Sequence, residues 1–509
     1  MAVDVIVAGG GPVGLMTAAL LDAAGISVEV YERNTEPSRQ SRGSTVHPRT
    51  LEVLTMLDAG DGRRISDVLV AQGKRVRQAH FATLRAKLDY HDLDTPFPFV
   101  LMLPQWRTEH ALAEYLRTRA VPVHYGADVT DVEQSADEVR IRAAGMSRTA
   151  RYLVGADGAH SMVRKAASIG FTGDLPTMVG FVADVRLAEH VPGAQYFWNH
   201  EAGHASVVPL AEDMTRVFGV EAADTGLTAD QVRRRQAEPL TLAELSRVLR
   251  AVCGTDFGVH SPSWLSRVSN TTRHAERYRT GRILLVGDAA HVHLPAGGQG
   301  LNVGLQDATN LAWKLAAEVH GWAPERLITG EAGYDRERRP VAEGLVASTQ
   351  AQDALMHNFS RAGAALREMF CGFIERRGEV AAELSAWMSG LGVGYPRPDG
   401  AHPLVGAKAP DLALAEGNGT LLRALRPDRF LLLGFTGDAD LAGLGSARVQ
   451  VATAHRHTSG RDRAWETVRA ALIRPDGHVA YATESGDGLA EAIAEWTRPD
   501  HQPTPARGL

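Results

Sequence analysis

Apolar residues follow two rhythms along this chain, and the change of rhythm divides it. Residues 3–8 (VDVIVA) form a continuous apolar run that predicts a buried strand, and residues 15–24 have the spacing of a helix that stops at Gly25. A second run, 28–31, predicts the next strand. Residues 48–57 read as a charged helix, 109–117 as another, and 121–123, 129–134 and 138–142 as short strands ahead of one over 152–155. Between Met178 and Arg267 the continuous runs give way to alternation, as in 181–187, 205–209 and 215–221, which predicts a separate sheet. The first texture returns at Gly281, with a strand over 283–286. It is followed by an apolar stripe at helical spacing: Leu305, Ala308, Leu311, Ala312, Leu315 and Val319. Residues 331–390 read as mostly helical, with Pro340 placed to open a helix. A Gly/Pro-rich linker over 390–403 leads to strands at 430–434, 448–453, 471–473 and 478–481, with the turn Arg474-Pro475-Asp476-Gly477 between the last two. The Pro-rich tail after Arg498 is expected to be disordered. There is no internal repeat.

Composition narrows the classes. A chain of 509 residues exceeds one core, and its length predicts about three domains. Hydrophobic content of 44% and charged content of 22% are those of an ordinary globular protein. A net charge of −6 leaves no electrostatic footprint for nucleic acid or an anionic membrane, and Arg233-Arg234-Arg235 reads as a solvated helix face. Cys253 and Cys371 lie far apart without metal-ligand spacing. They exclude a disulfide framework, a cysteine-based zinc or iron–sulfur site and a C-x-x-C redox pair. With no basic-then-apolar leader and no apolar run of about 18 residues, a cytoplasmic location is expected.

Three glycine-bearing strand ends carry the candidate chemistry. Gly9, Gly11 and Gly14 fit G-x-G-x-x-G between the first strand and its helix, and Glu32 closes the second strand eighteen residues beyond Gly14. In that fingerprint the first glycine makes a tight turn, the second admits a pyrophosphate, and the third lets helix pack on strand. The acid takes the ribose hydroxyls. Only one such fingerprint is present: Gly390–Gly394 and Gly443–Gly445 follow no suitable strand, so a second dinucleotide fold is excluded. At Asp157-Gly158 another strand ends in a turn, followed by Arg164. From Gly281 to Lys314 a strand ends in Gly287-Asp288, followed by a proline, a glycine cluster and a helix. The bare N–H groups opening that helix suit an anionic or electron-rich ligand.

The segments GGGPVGL, VGADGAHSMVR and GDAAHVHLPAGGQGLNVGLQDATNLAWKL together resemble the three signatures of class A flavoprotein monooxygenases. These are FAD-dependent aromatic hydroxylases of the para-hydroxybenzoate hydroxylase type. The resemblance spans residues 1–340, and the sequence after 400 looks like the thioredoxin-like domain of the larger members, phenol hydroxylase and the hydroxylases that tailor aromatic polyketides and rifamycin-like antibiotics. It implies an α/β fold: a Rossmann-like FAD-binding domain (1–77, 101–177 and, with connecting helices, 268–390), an inserted β-sheet substrate domain (78–100 and 178–267), a C-terminal thioredoxin-like domain (400–498) and a tail (499–509).

Site residues follow from the same resemblance. Gly9, Gly11 and Gly14 would cradle the FAD pyrophosphate, Glu32 and Arg33 would meet the adenosine ribose, and Arg42 the phosphate side. Gln105 would touch the ribityl chain, and Asp157 with Gly158 would serve both FAD and the nicotinamide nucleotide. Asp288 would bind the ribityl hydroxyls, and Pro295 would lie beside the isoalloxazine. Gly298, Gly300, Leu301 and Asn302 would offer backbone N–H groups to the flavin pyrimidine edge. Gly43, where the family often has Ala, and Trp106 after the glutamine are small departures.

The implied activity is hydroxylation of a phenolic or polycyclic aromatic small molecule, of polyketide or antibiotic type, with O₂ and transient NADPH or NADH. Oxygen would pass through a flavin C4a-hydroperoxide shielded from water. Baeyer–Villiger oxidation or epoxidation on the same scaffold is the alternative, and a non-catalytic flavin-binding protein is a third reading. A halogenase is disfavoured because W-x-W is absent. The expected state is monomer or homodimer, without nucleic acid, membrane or metal. His200, His204 and Trp198 are pocket candidates in the middle sheet; Tyr196 and Phe197 stand beside them, while His291 and His293 read as structural. The last domain contains no cysteine, which excludes thiol chemistry there and leaves subunit contact or pocket covering.

Overall fold

A computed structural model describes residues 3–37, 43–189, 191, 196–210, 214–415, 419–435, 441–455 and 463–497. Arg42 and the tail 499–509 lie outside the described residues.

The first apolar run is the strand Val3–Ala8, at the centre of the largest sheet. It pairs in parallel with Val28–Glu32 on one side and with Met146–Gly155 on the other, and these pair in parallel with Val123–Tyr125 and Ile283–Leu285. Strands covered on both faces need no alternation, which is why they read as continuous Val/Ile/Leu runs. Antiparallel strands Val139–Ala143 and Val129–Gln134 extend the sheet. All the parallel strands end on one side, where the three glycine-bearing segments emerge together.

The alternating region forms a five-stranded antiparallel sheet. Its order is Tyr196–His200, Gly203–Pro209, Thr215–Glu221, Val179–Leu187, Val259–Ser269. Successive side chains point to opposite faces. Phe181, Ala183, Val185, Ala205, Val207 and Val217 pack under the helix Leu242–Cys253, which contributes Leu245, Val248 and Leu249. The other face, with Val208, Phe218 and Val220, packs against the hairpin around residues 79–88 and the helices Tyr334–Met356 and Arg361–Arg376.

Pro340 does not open a helix. It lies inside Tyr334–Met356, which starts after Gly333 with Asp335 and Glu337 in its first turn. A proline removes one intrahelical bond, and two-sided packing can outweigh that loss. Tyr334, Arg338, Ala342 and Leu345 are all buried along this helix.

The last domain orders its strands Val449–Ala454, Phe430–Phe435, Ala470–Ile473, Val479–Thr483. The first pair is parallel and the others antiparallel, with the helix Leu489–Trp496 following. That is the order and polarity of a thioredoxin-like core. It docks on the long helix Gln299–Val319, where Trp313 meets Phe430 edge-on with ring centroids 5.6 Å apart.

Three buried histidines mark where the layers meet. Burial pushes His47 down to about 4 and His204 down to about 3, and holds His478 below its ordinary value. Unfolded, each takes a proton near pH 6.5; folded, His47 and His204 refuse it until the pH is far lower. The unfolded state therefore binds more protons in that window, and stability falls as the pH falls, by about 1.4 kcal/mol each for His47 and His204 at pH 5.5. We expect the Tm to drop between pH 7.5 and 5.5, and His204→Gln to flatten the slope. A Tm that is constant or rises on acidification contradicts this.

Candidate active site

The glycines of the first loop are required for different reasons. Gly9 has φ +108° and its missing Cβ would overlap the carbonyl of Ala156; a Cβ at Gly14 would overlap the carbonyl of Gly9. These two let the helix Pro12–Ala23 sit against the strand ends. At Gly11 a Cβ would meet nothing within 4 Å, so this position faces open space at the helix N-terminus, which has no side-chain cap. Backbone N–H groups and the positive end of the helix are left to face that space.

Glu32 is fixed beside the loop. Its carboxylate accepts from the Gly10 N–H at 2.6 Å and the Asn34 N–H at 2.8 Å, while Arg33 is exposed. Gln105 begins the helix Gln105–Thr118, four residues ahead of the predicted start. Its Oε1 accepts from the Gly43 N–H at 3.0 Å and its Nε2 donates to Glu109 at 2.7 Å. Burial pushes Glu109 up to about 7; the Gln105 amide pulls against that, and Glu32 adds to it. Sequence reasoning missed Glu109 as a site residue, although the i,i+4 spacing from Gln105 puts both on one helix face.

Asp157 accepts from the Met162 and Val163 N–H groups at 2.7 and 3.0 Å through Oδ2, while Oδ1 is buried without a partner. Gly158 follows in the left-handed region at φ +79°. Arg164 ties this segment to the third one by donating to the Ala289 carbonyl at 2.8 Å. Asp288 is exposed on the turn Gly287–Ala289. Asp307 supports that turn from behind, accepting from the Gly287 N–H at 3.3 Å, His291 at 2.7 Å and Arg338 at 2.7 Å. Burial raises the Asp307 carboxyl, but Arg338 and His291 more than offset it and hold it below the usual range. His291 has the structural place expected of it.

The segment after Pro295 makes a tight turn with Gly297 and Gly298 both left-handed, at φ 65° and 66°, before Gln299–Val319 begins. A Cβ at Gly298 would overlap the Thr45 hydroxyl, and one at Gly300 would lie 3.1 Å from His293. Asn302 clasps the turn: it donates to the Gly298 carbonyl at 2.8 Å and the Thr45 carbonyl at 3.1 Å, and accepts from the His47 N–H at 2.7 Å. Leu301 packs half-buried against the core, Pro295 is exposed, and no side chain caps the helix.

The pocket candidates separate by strand parity. Trp198 stacks on Tyr196 and packs on Phe257, and the His200 ring bonds the Val252 carbonyl at 2.5 Å. Both project to the helix-covered face, so neither joins the other site residues. His204 lies on the opposite face with Ser206 (2.9 Å), near Phe218 and His357. Phe197 shares that face and meets His80 at 4.6 Å and the Lys87 ammonium at 4.4 Å. Burial pulls Lys87 down to about 8.

This arrangement fits FAD. Open space before Gly11 and two uncapped helix N-termini suit a pyrophosphate and an electron-rich ring edge, and the orphaned Asp157 oxygen and exposed Asp288 suit donors. Among the described residues there is no cluster of metal-ligating side chains and no helix long and apolar enough to cross a membrane.

Comparison with known proteins agrees. Residues 2–349 match the family model of an FAD binding domain and residues 402–499 that of an aromatic-ring hydroxylase C-terminal domain. The chain is 37% identical to the 12-dehydrotetracycline 5-monooxygenase/anhydrotetracycline 6-monooxygenase of Streptomyces rimosus, over 98% of this chain and 99% of that one. It is 38% identical to the rifampicin monooxygenase of Streptomyces venezuelae, over 97% and 98%. The solved structure of OxyS anhydrotetracycline hydroxylase from Streptomyces rimosus superposes with a TM-score of 0.86 at 37% identity, covering 98% of this chain and 100% of that chain. The chain belongs to the FAD-binding aromatic-ring hydroxylases, the class A flavin monooxygenases, and is an FAD-dependent aromatic monooxygenase.

Proposed function

We propose that this enzyme hydroxylates a phenolic, polycyclic aromatic of polyketide or antibiotic type, using NADPH or NADH and O₂. The carrying observation is the meeting of the three strand-end segments on one side of the parallel sheet, with relatives named for tetracyclines and rifampicin supporting the substrate class. When bound and reduced, the flavin supplies O₂ activation and transfer of one oxygen atom.

In this reading each segment has one task. The N–H groups at the start of Pro12–Ala23 would hold the pyrophosphate, and Glu32 would take the adenosine ribose. Asp288 and Gln105 would hold the ribityl chain, and the N–H groups of Gly298 to Asn302 would meet an electron-rich ring edge. A helix N-terminus stabilises negative charge by up to about 2 kcal/mol when partly buried. Asp157 and Gly158 lie where the nicotinamide nucleotide docks transiently, since a second dinucleotide fold is absent from the sequence. The flavin-side face of the middle sheet receives the substrate. There half-buried Phe197 would offer planar contact, while His204, wholly buried and neutral, would support that face through Ser206.

Asp288→Ala should raise the FAD dissociation constant about tenfold to a hundredfold, the loss of a charged hydrogen bond, and Gly11→Val should purify without FAD. Full retention by Asp288→Ala overturns that residue's role, and an FAD-replete Gly11→Val overturns the loop's. For activity, an accepted phenolic polycycle should stimulate NADPH oxidation above its resting rate and acquire one atom of labelled O₂ as a hydroxyl. Label in a lactone would favour Baeyer–Villiger chemistry, and stimulated NADPH loss recovered wholly as peroxide would make the compound an effector and not a substrate.

A further inference from the structure

The C-terminal domain presents one turn, Arg474-Pro475-Asp476-Gly477, to the FAD-binding domain, and that turn is buried. The Asp476 carboxylate accepts from the Trp313 indole N–H at 3.1 Å, the Asn310 amide at 3.4 Å and the Arg474 guanidinium at 2.6 Å. Arg474 in turn grips both oxygens of Glu337 at 2.7 and 2.8 Å, and Glu337 also accepts from Lys314 at 2.6 Å. The backbone carbonyl of Asp476 accepts from Arg49 at 2.5 Å, and Lys408, from the same end of the chain, pairs with Glu52 at 3.0 Å. All of these residues are buried except Lys408, which is half-buried.

What the turn grips is informative. Asn310, Trp313 and Lys314 belong to the helix whose first turn carries Gly300 to Asn302, and Asn310 lies eight residues from Asn302, about 12 Å along the axis. Arg49 and Glu52 belong to the helix Pro48–Leu54, entered directly from His47. His47 in turn donates its N–H to Asn302 and bonds the Gly297 carbonyl through its ring at 2.9 Å. The two helices that hold the Gly297–Asn302 turn from either side are thus clamped by one buried turn of another domain. Surface ion pairs would leave each helix free to shift, whereas a buried, fully partnered set defines one arrangement, because any displacement strands a charge away from water.

We infer that Asp476 and Arg474 are positioning residues for the flavin-contacting turn, acting through the helices Gln299–Val319 and Pro48–Leu54. The last domain is then part of the cofactor site's scaffold, beyond any subunit contact or covering of the pocket. This rests on the reading of Pro295–Asn302 as the flavin segment.

The test uses the full-length, FAD-loaded enzyme with Asp476→Ala, Asp476→Asn and Trp313→Phe, the last removing the indole N–H together with part of the ring volume. Trp465→Ala, which removes a buried ring packed on Phe435 within the same domain, is the control. Hydrogen exchange in peptides covering 295–305 and 45–50 should speed up about tenfold in Asp476→Ala, with a comparable rise in the FAD dissociation constant. Asn should recover part of both, and Trp313→Phe should show a smaller rise in exchange. Trp465→Ala should lower the Tm while leaving those peptides as in the parent. If Asp476→Ala melts earlier but its turn exchange and FAD affinity match the parent, the turn only docks the domain and the inference fails. Should Asp476→Ala not fold, unchanged exchange in Trp313→Phe has the same force. If FAD does not protect 295–302 in the parent enzyme, the flavin-segment reading fails instead, which separates the two.

Discussion

The structure depends on a steric constraint at one point, where a helix, two strand ends and a turn approach with only backbone between them. Gly9 lies against the carbonyl of Ala156 and Gly14 against that of Gly9, so neither can carry a side chain without moving the central strand or the first helix. That approach brings the end of Val3–Ala8 and the end of Met146–Gly155 to one level. Val286 continues it by donating to the Gly155 carbonyl at 3.0 Å, and the Gly287–Asp288 turn follows at once. Three segments distant in sequence thereby share one rim. Gly11, in the same loop, looks into open space, so one short motif supplies both the packing and the opening.

A second layer of buried polar contacts keeps that rim in shape. Asn302 uses its amide on Thr45, His47 and Gly298, and Asp307 uses both carboxylate oxygens on Gly287, His291 and Arg338. Burying such groups is costly unless every one is partnered, and removing one partner costs more than forming the pair gained. These contacts stabilise little in net terms but leave few alternative arrangements. The same logic extends to Arg474, Glu337 and Asp476 beneath the last domain.

Much of this was legible in the sequence because local rules carried it. The G-x-G-x-x-G loop, the continuous strands and the alternating sheet appear where periodicity and glycine spacing placed them, since each depends on a few neighbouring residues. Errors arose where a distant element decided. Pro340 sits inside a helix because Tyr334, Arg338 and Leu345 around it are buried by other parts of the fold. Trp198 and His200 turn away from the face that carries His204 because the strand's parity was set by the helix Leu242–Cys253, which packs on the other face. Glu109 escaped notice because its burial beside Gln105 and Glu32 exists only after folding.

By itself, then, the sequence determined the kind of sheet, the strand-end loops and the chemistry they suit, because these follow from residue type at short spacing. Tertiary structure alone decided which face of the middle sheet looks toward those loops, how Asp307 and Asn302 brace them, and that a turn of the last domain grips the helices behind them. Those contacts join residues up to several hundred positions apart, as Arg49 and Asp476 do. No local pattern encodes such a partner, since a buried charge identifies its counter-charge only when the chain has brought both out of water.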